Sequence, residues 1–331
     1  MKHSLYSTLL TILMLTSINS CDTVNGRNPS VEPVHINRFD RDLFQLITGD
    51  TPEWQEKIAA DYPDMLKVIG LTVFRTQDTQ HSDFFDRLIN YYSEPTLNNL
   101  YRDALKAFEH IETVEANLGA GFHYLKTSFP AMQIPAVYMH VSGLQQNVLV
   151  DDSLLSISID KYMGADYPLY NNYFYDYQLR RMNPESIVLD YMKAWLLSEF
   201  PFKGNDRILL ERMIHEGKIK YIMHRAFPKV LPETLMGYNS VDYQWCKRNE
   251  KMLWRLIIER KHLFEPDVAT TARYFSEMPS IFISDDAPGE LGSWVGWQIV
   301  TKYMNRTKVS IADLMMNTDY QDIFTKSRYK P

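Results

Sequence analysis

Apolar residues recur at helical spacing through the first part of the chain, shift to a shorter alternating rhythm near the middle, and return to helical spacing towards the end. Phe39, Leu43, Phe44, Leu46 and Ile47 share one side of a short predicted helix. Trp54, Ile58, Met65, Leu66 and Ile69 mark a second, interrupted near Pro63. Phe84, Phe85, Leu88 and Ile89 predict a third, which Pro95 separates from Leu97, Leu100, Tyr101, Leu105 and Phe108. A further helix is expected from Ile111 to Phe129, where Ala116, Gly119, Ala120 and Gly121 would let a neighbour approach closely at some cost in propensity. The middle rhythm covers Ile134 to Val141, Val148 to Val150 and Leu154 to Asp160. With Asp151-Asp152-Ser153 as a hairpin turn, it predicts a small, mostly antiparallel sheet.

Aromatic residues then crowd the segment from Tyr162 to Tyr177: Tyr162, Tyr167, Tyr170, Tyr173, Phe174, Tyr175 and Tyr177. Pro168 and Asn171-Asn172 inside it make it a structured loop. Its tyrosines either cover the sheet or present an interface, and Tyr170 and Tyr173 are candidates for a packing or partner surface. Asn183-Pro184 opens a helix to about Phe200. Another is predicted over Asn205 to Arg225, and a long one over Val241 to His262 capped by Ser240. Pro288-Gly289 opens one through Met304, and Ser310 with Asp313 and Thr318 with Gln321 read as capping boxes. The expected fold is α+β, predominantly helical, with residues 34–331 as one globular domain.

The amino terminus has its own pattern. Lys2 precedes the apolar run Leu9 to Leu15, and Ser20 precedes Cys21. The run is too short for a membrane span, which needs roughly 20 apolar residues, and has the build of a signal peptide over residues 1–20. Ile18-Asn19-Ser20-Cys21 looks like a bacterial lipobox, with Asn19 departing from the usual small or apolar residue. Cys21 is therefore the expected lipid-attachment site, and residues 21–33, polar and carrying Gly26, Pro29 and Pro33, the tether. Only Asp22 follows the cysteine where an acidic cluster would favour display outside the cell, so the expected location is the periplasmic face of the outer membrane.

The formal net charge is −6, and loss of Lys2 with the signal peptide takes it to −7. This mildly acidic balance argues against nucleic acid as a partner. Of the two cysteines, Cys21 is committed to lipid, which leaves Cys246 no intramolecular partner. Cys246 itself reads as a small buried hydrophobe.

One segment carries the ingredients of chemistry. His215-Glu216 lies on a predicted helix, but the second histidine of a zinc-binding HExxH helix would fall at Ile219, which has no lone pair. Glu250, on a later helix, has the place of a third ligand. His215 and Glu250 are thus the candidate metal ligands and Glu216 the candidate catalytic base. Two protein ligands hold zinc weakly, so the favoured reading is a metal-free polar pair with no cofactor. His224 lies nine positions on, on the opposite helix face. No nucleophile elbow or phosphate loop is present.

His215-Glu216-Gly217-Lys218 with Tyr221, then Trp245-Cys246, Asn249-Glu250 and Trp254, then Pro288 to Val300 (PGELGSWVGWQIV) with Tyr303-Met304, resemble the GldB gliding-motility lipoprotein family of Bacteroidetes. That family in turn is similar to degenerate zincin-type metallopeptidases, which suits the half-present zinc motif. The resemblance implies a zincin-like body and a role in the gliding or associated secretion apparatus of the envelope. Three readings of the function follow. The first is a lipid-anchored pseudoenzyme that binds envelope proteins, the second a zinc peptidase with an unorthodox site, and the third a peptide or glycan binder using the aromatic loop. Gly289, Gly292 and Gly296 recur at helical spacing, with Trp294 and Trp297 on other sides. They mark either a docking surface or close packing against the His215 helix, the latter being favoured.

Overall fold

A computed structural model describes residues 32–49, 51–76 and 83–331. Cys21, the expected signal peptide and most of the expected tether lie outside the described residues. The chain enters as the two-residue strand β1 (Ile36–Asn37) and passes into α1 (Phe39–Gly49), α2 (Pro52–Asp61), α3 (Pro63–Thr72), α4 (Phe84–Tyr92), α5 (Pro95–Ala107) and α6 (Glu112–Ser128). Pro52, Pro63 and Pro95 each occupy the first turn of a helix, where the missing N–H costs nothing. Pro63 therefore starts a new helix after Tyr62.

The sheet follows as β2 (Ala136–His140), β3 (Val148–Asp151) and β4 (Leu154–Ser158), in the spatial order β1-β2-β4-β3. β3 and β4 form the expected antiparallel hairpin, Val148 opposite Ile157. β2, however, pairs with β4 in parallel, from Ala136 beside Leu154 to His140 beside Ser158, and β1 pairs with β2 in parallel. The sheet is thus mixed, where a mostly antiparallel one was expected. The second strand of the hairpin, not the first, joins β2, and this reverses the relative direction. β1, with two residues, is too short to leave a periodic signal.

Beyond the aromatic loop come α7 (Asp176–Leu179), α8 (Ile187–Glu199), α9 (Leu209–Ala226), α10 (Pro232–Met236), α11 (Ser240–Glu259), α12 (Val268–Phe275), α13 (Leu291–Thr307), α14 (Ile311–Met316) and α15 (Tyr320–Ser327). α8 packs on β3 and β4, α9 packs on α8, and α13 and α15 pack on α9. Eleven of the 18 residues of α9 are buried, so it has no broad solvent face and is an interior helix. No helix among the described residues is long and apolar enough to cross a membrane.

Backbone contact sets the α9–α13 crossing. A Cβ on Gly217 would lie 2.3 Å from the Gly296 carbonyl, and one on Gly296 only 1.7 Å from the Met213 carbonyl oxygen. Only glycine permits such an approach. Gly289 and Gly292 serve a different contact, against the Glu277 backbone and the Phe275 ring. α13 starts later than Pro288-Gly289 suggests, because Glu290 adopts a left-handed conformation, φ 52°, immediately before Leu291.

Candidate functional site

α9 carries His215 and Glu216 as expected, but the two side chains serve different surroundings. Neighbours on a helix point about 100° apart. The His215 ring, 6% exposed, lies 5.3 Å from the ring of Phe202, and its Nε2 is buried without a hydrogen-bond partner. Burial, with Lys218 and Arg212 nearby, pulls the imidazole down to about 4, so it is neutral at pH 7. Glu216 is half-buried and within electrostatic reach of Lys193 and Lys220. Ile219 is fully buried in the core. Glu250 accepts a hydrogen bond from Tyr329 Oη at 2.7 Å, and Tyr329 packs edge-on against Trp254. His224 lies edge-on to Trp297, away from His215. Among the described residues no three His, Cys, Asp or Glu side chains converge as a metal site. The donors present do not fit zinc: Ile219 stands where one of the three protein ligands is needed, and Glu250 is held by Tyr329 of the C-terminal segment.

Chemically denser is an ion network that the sequence did not announce. Glu290, buried at the head of α13, binds Arg181, and its Oε1 lies 3.7 Å from Lys193 Nζ. Burial would raise its carboxyl, but Arg181, Lys193 and Lys220 outweigh that and hold it down to about 2. Glu290 in turn raises Lys193. Lys220, buried in α9, donates to the Leu235 carbonyl at 2.9 Å, and its desolvation pulls it down to about 7. A non-glycine residue in left-handed backbone costs on the order of 1 kcal/mol, and here the ion network over-determines it. The available sequence signal was a charged residue pair, Lys218 and Lys220, within a helix that has no polar face to receive it.

Arg181 and Lys193 of this network line a cleft of about 230 Å³ bordered also by Lys161, Tyr162, Phe174, Asp190 and Glu277. Asp190 accepts from Tyr162 Oη at 2.8 Å, and Lys161 Nζ lies 4.8 Å above the Phe174 ring. Phe174 also borders an adjoining, larger groove of about 550 Å³, whose wall includes Tyr91, Leu97, Leu100, Leu144, Leu169 and Tyr173.

The aromatic candidates separate clearly. Tyr170 is fully buried, donating to the Asp160 carbonyl at 2.6 Å. Trp294 and Trp297 are 3% and 5% exposed, at right angles to each other with centroids 6.4 Å apart. Tyr173 and Tyr175, by contrast, are 64% and 70% exposed, and Tyr175 stacks on Tyr177 at 5.7 Å. The sequence marks Tyr175 only as one of the seven aromatic residues of this loop, not as a surface candidate beside Tyr170 and Tyr173. Cys246 is buried and its thiol is pushed up to about 12, leaving it inert.

A family model described as gliding motility protein GldB matches residues 23–331. No curated protein and no solved structure matches the chain.

Proposed function

The chain belongs to the gliding motility protein GldB family, and from that premise we propose that it is a lipid-anchored envelope protein that acts by binding partner proteins of the motility or associated secretion machinery. The observation that carries this reading is the contrast between a sealed helix and an open loop. α9, where a peptidase would keep its metal and base, is covered by α13 at a glycine-to-glycine crossing. The loop holding Tyr173 and Tyr175 instead offers large amphipathic rings to solvent beside two adjoining clefts. Tyrosines of this kind are favoured at protein interfaces because they bury much area at low entropic cost.

Cys21 is the lipid-attachment residue in this reading, residues 21–33 the tether and 34–331 the working body. The family match begins at residue 23, two positions after the proposed mature terminus, which is in keeping with it. Two or three acyl chains anchor stably where one does not. The anchor faces the periplasm from the outer membrane.

Replacing Tyr173 and Tyr175 together by serine should abolish gliding and co-purification of envelope proteins with the full-length chain, while leaving its melting temperature unchanged. Normal gliding in that strain would overturn the assignment of the loop. Cys21→Ser should abolish fatty-acid labelling, and unchanged labelling and membrane fractionation would refute the anchor.

A further inference from the structure

On the side of α9 occupied by His215, a cavity of about 140 Å³ lies between the end of α8 and the segment joining α14 to α15. Its buried polar wall is His215 and Lys218; its apolar wall is Phe200, Met315, Met316 and the Tyr320 ring. Lys218 is only 2% exposed. Its ammonium donates to the Asn317 carbonyl at 2.5 Å and lies 5.1 Å from the centre of the Tyr320 ring. Neither partner carries a charge. Among the described residues the only carboxylate on the wall is Glu199, which is exposed and forms no ion pair with them, and Lys203, also exposed, offsets it.

A buried ammonium with no counter-ion is costly, and proteins normally pair it. Here an ammonium with no carboxylate partner among the described residues and an imidazole with a buried, unpartnered nitrogen border the same cavity. A monoanion there would match one positive charge and accept hydrogen bonds from both groups. The surrounding rings and methionines, Met316 being exposed at the mouth, suit an apolar group attached to that anion. A phosphate dianion has one charge too many for this wall and no use for its apolar half.

We propose that this cavity binds a carboxylate carried by an apolar group, held by Lys218 and His215, and that its source is the C-terminal residue of a partner polypeptide. The proposal rests on the partner-binding reading and assigns it a second contact, separate from the tyrosine loop.

The test uses the full-length lipidated protein in a neutral detergent and isothermal titration with four probes. These are a hexapeptide ending in leucine with a free carboxylate, the same peptide amidated, 3-methylbutanoate and inorganic phosphate. The free-acid peptide should bind at least tenfold more tightly than the amide, and Lys218→Met should remove that preference. Phosphate should not compete. Equal binding of acid and amide, no binding of either, or unchanged preference in Lys218→Met overturns the proposal. The acid–amide comparison in the unaltered protein stands even if the variant fails to fold. If 3-methylbutanoate binds as tightly as the peptide, the carboxylate site holds but its source is a small acid, and the polypeptide assignment falls. Co-purification of partners that survives Lys218→Met, with acid and amide bound alike, would refute the cavity and leave the tyrosine loop as the partner contact.

Discussion

Tyr162 to Tyr177 and Trp294 to Tyr303 are both rich in large rings, and the fold uses them in opposite ways. In α13 the tryptophans turn inward against Tyr243 and His224, beside the Gly217–Gly296 crossing. In the loop, Tyr162 and Tyr170 are buried while Tyr173 and Tyr175 stand in solvent. The α13 segment holds the most specific sequence pattern and is packing; the loop holds the weaker pattern and has the free surface. A dense motif thus reports how demanding a contact is, and a backbone-to-backbone helix crossing is among the most demanding.

The comparison breaks most readily at that crossing. Gly296→Val places a side chain where not even a Cβ fits, so the helices must separate. The variant should lose several kcal/mol, enough to fail to accumulate as folded protein, as judged by circular dichroism and solubility. Normal melting would show that the crossing tolerates distance. Next comes Glu290→Gln, which leaves the half-buried Arg181 and Lys193 beside a neutral partner. It should cost about 3 kcal/mol in urea denaturation, whereas double substitution of Tyr173 and Tyr175 should cost almost nothing.

Acid should reveal the interior histidines. His215 and His140 are held down to about 4 and about 3 by burial, below the ordinary 6.5. Between pH 6.5 and 4 the unfolded chain binds protons that the folded one refuses, so stability falls as pH falls across that window. His215 alone accounts for on the order of 3 kcal/mol. Denaturation midpoints for His215→Phe should therefore be flatter over that range than those of the parent. An unchanged slope would mean that the ring is solvated. The smallest effect is the expected indifference to reductant, since Cys246 is buried with no cysteine partner among the described residues; a monomeric sample that melts lower when reduced would contradict it.

The helical part before the sheet was legible because proline and periodic leucine, isoleucine and phenylalanine mark ends and faces, although what reads as one helix interrupted near Pro63 is two, α2 and α3. The hairpin was legible from Asp151-Asp152-Ser153. The parallel pairings were not, because strand order depends on which partner is nearest after the chain has collapsed. α10 and α12, with five and eight residues, give too few apolar positions to establish a period. At the site, the sequence placed His215, Glu216 and Ile219 on one helix. It could not show that His215 and Glu216 serve different neighbours, or that Glu290 gathers Arg181 and Lys193 from distant segments. Such convergence is a property of tertiary structure.

In the proposed function this chain works through its exposed loop and not through metal hydrolysis at α9. This is tested most directly by gliding in two strains, one carrying Glu216→Gln and the other Tyr173→Ser with Tyr175→Ser, each with its protein's zinc content measured. Glu216→Gln cells should be motile and tyrosine-variant cells non-motile, with far less than one zinc per chain in both. Near-stoichiometric zinc with motility lost in Glu216→Gln and kept in the tyrosine variant would contradict the proposed function.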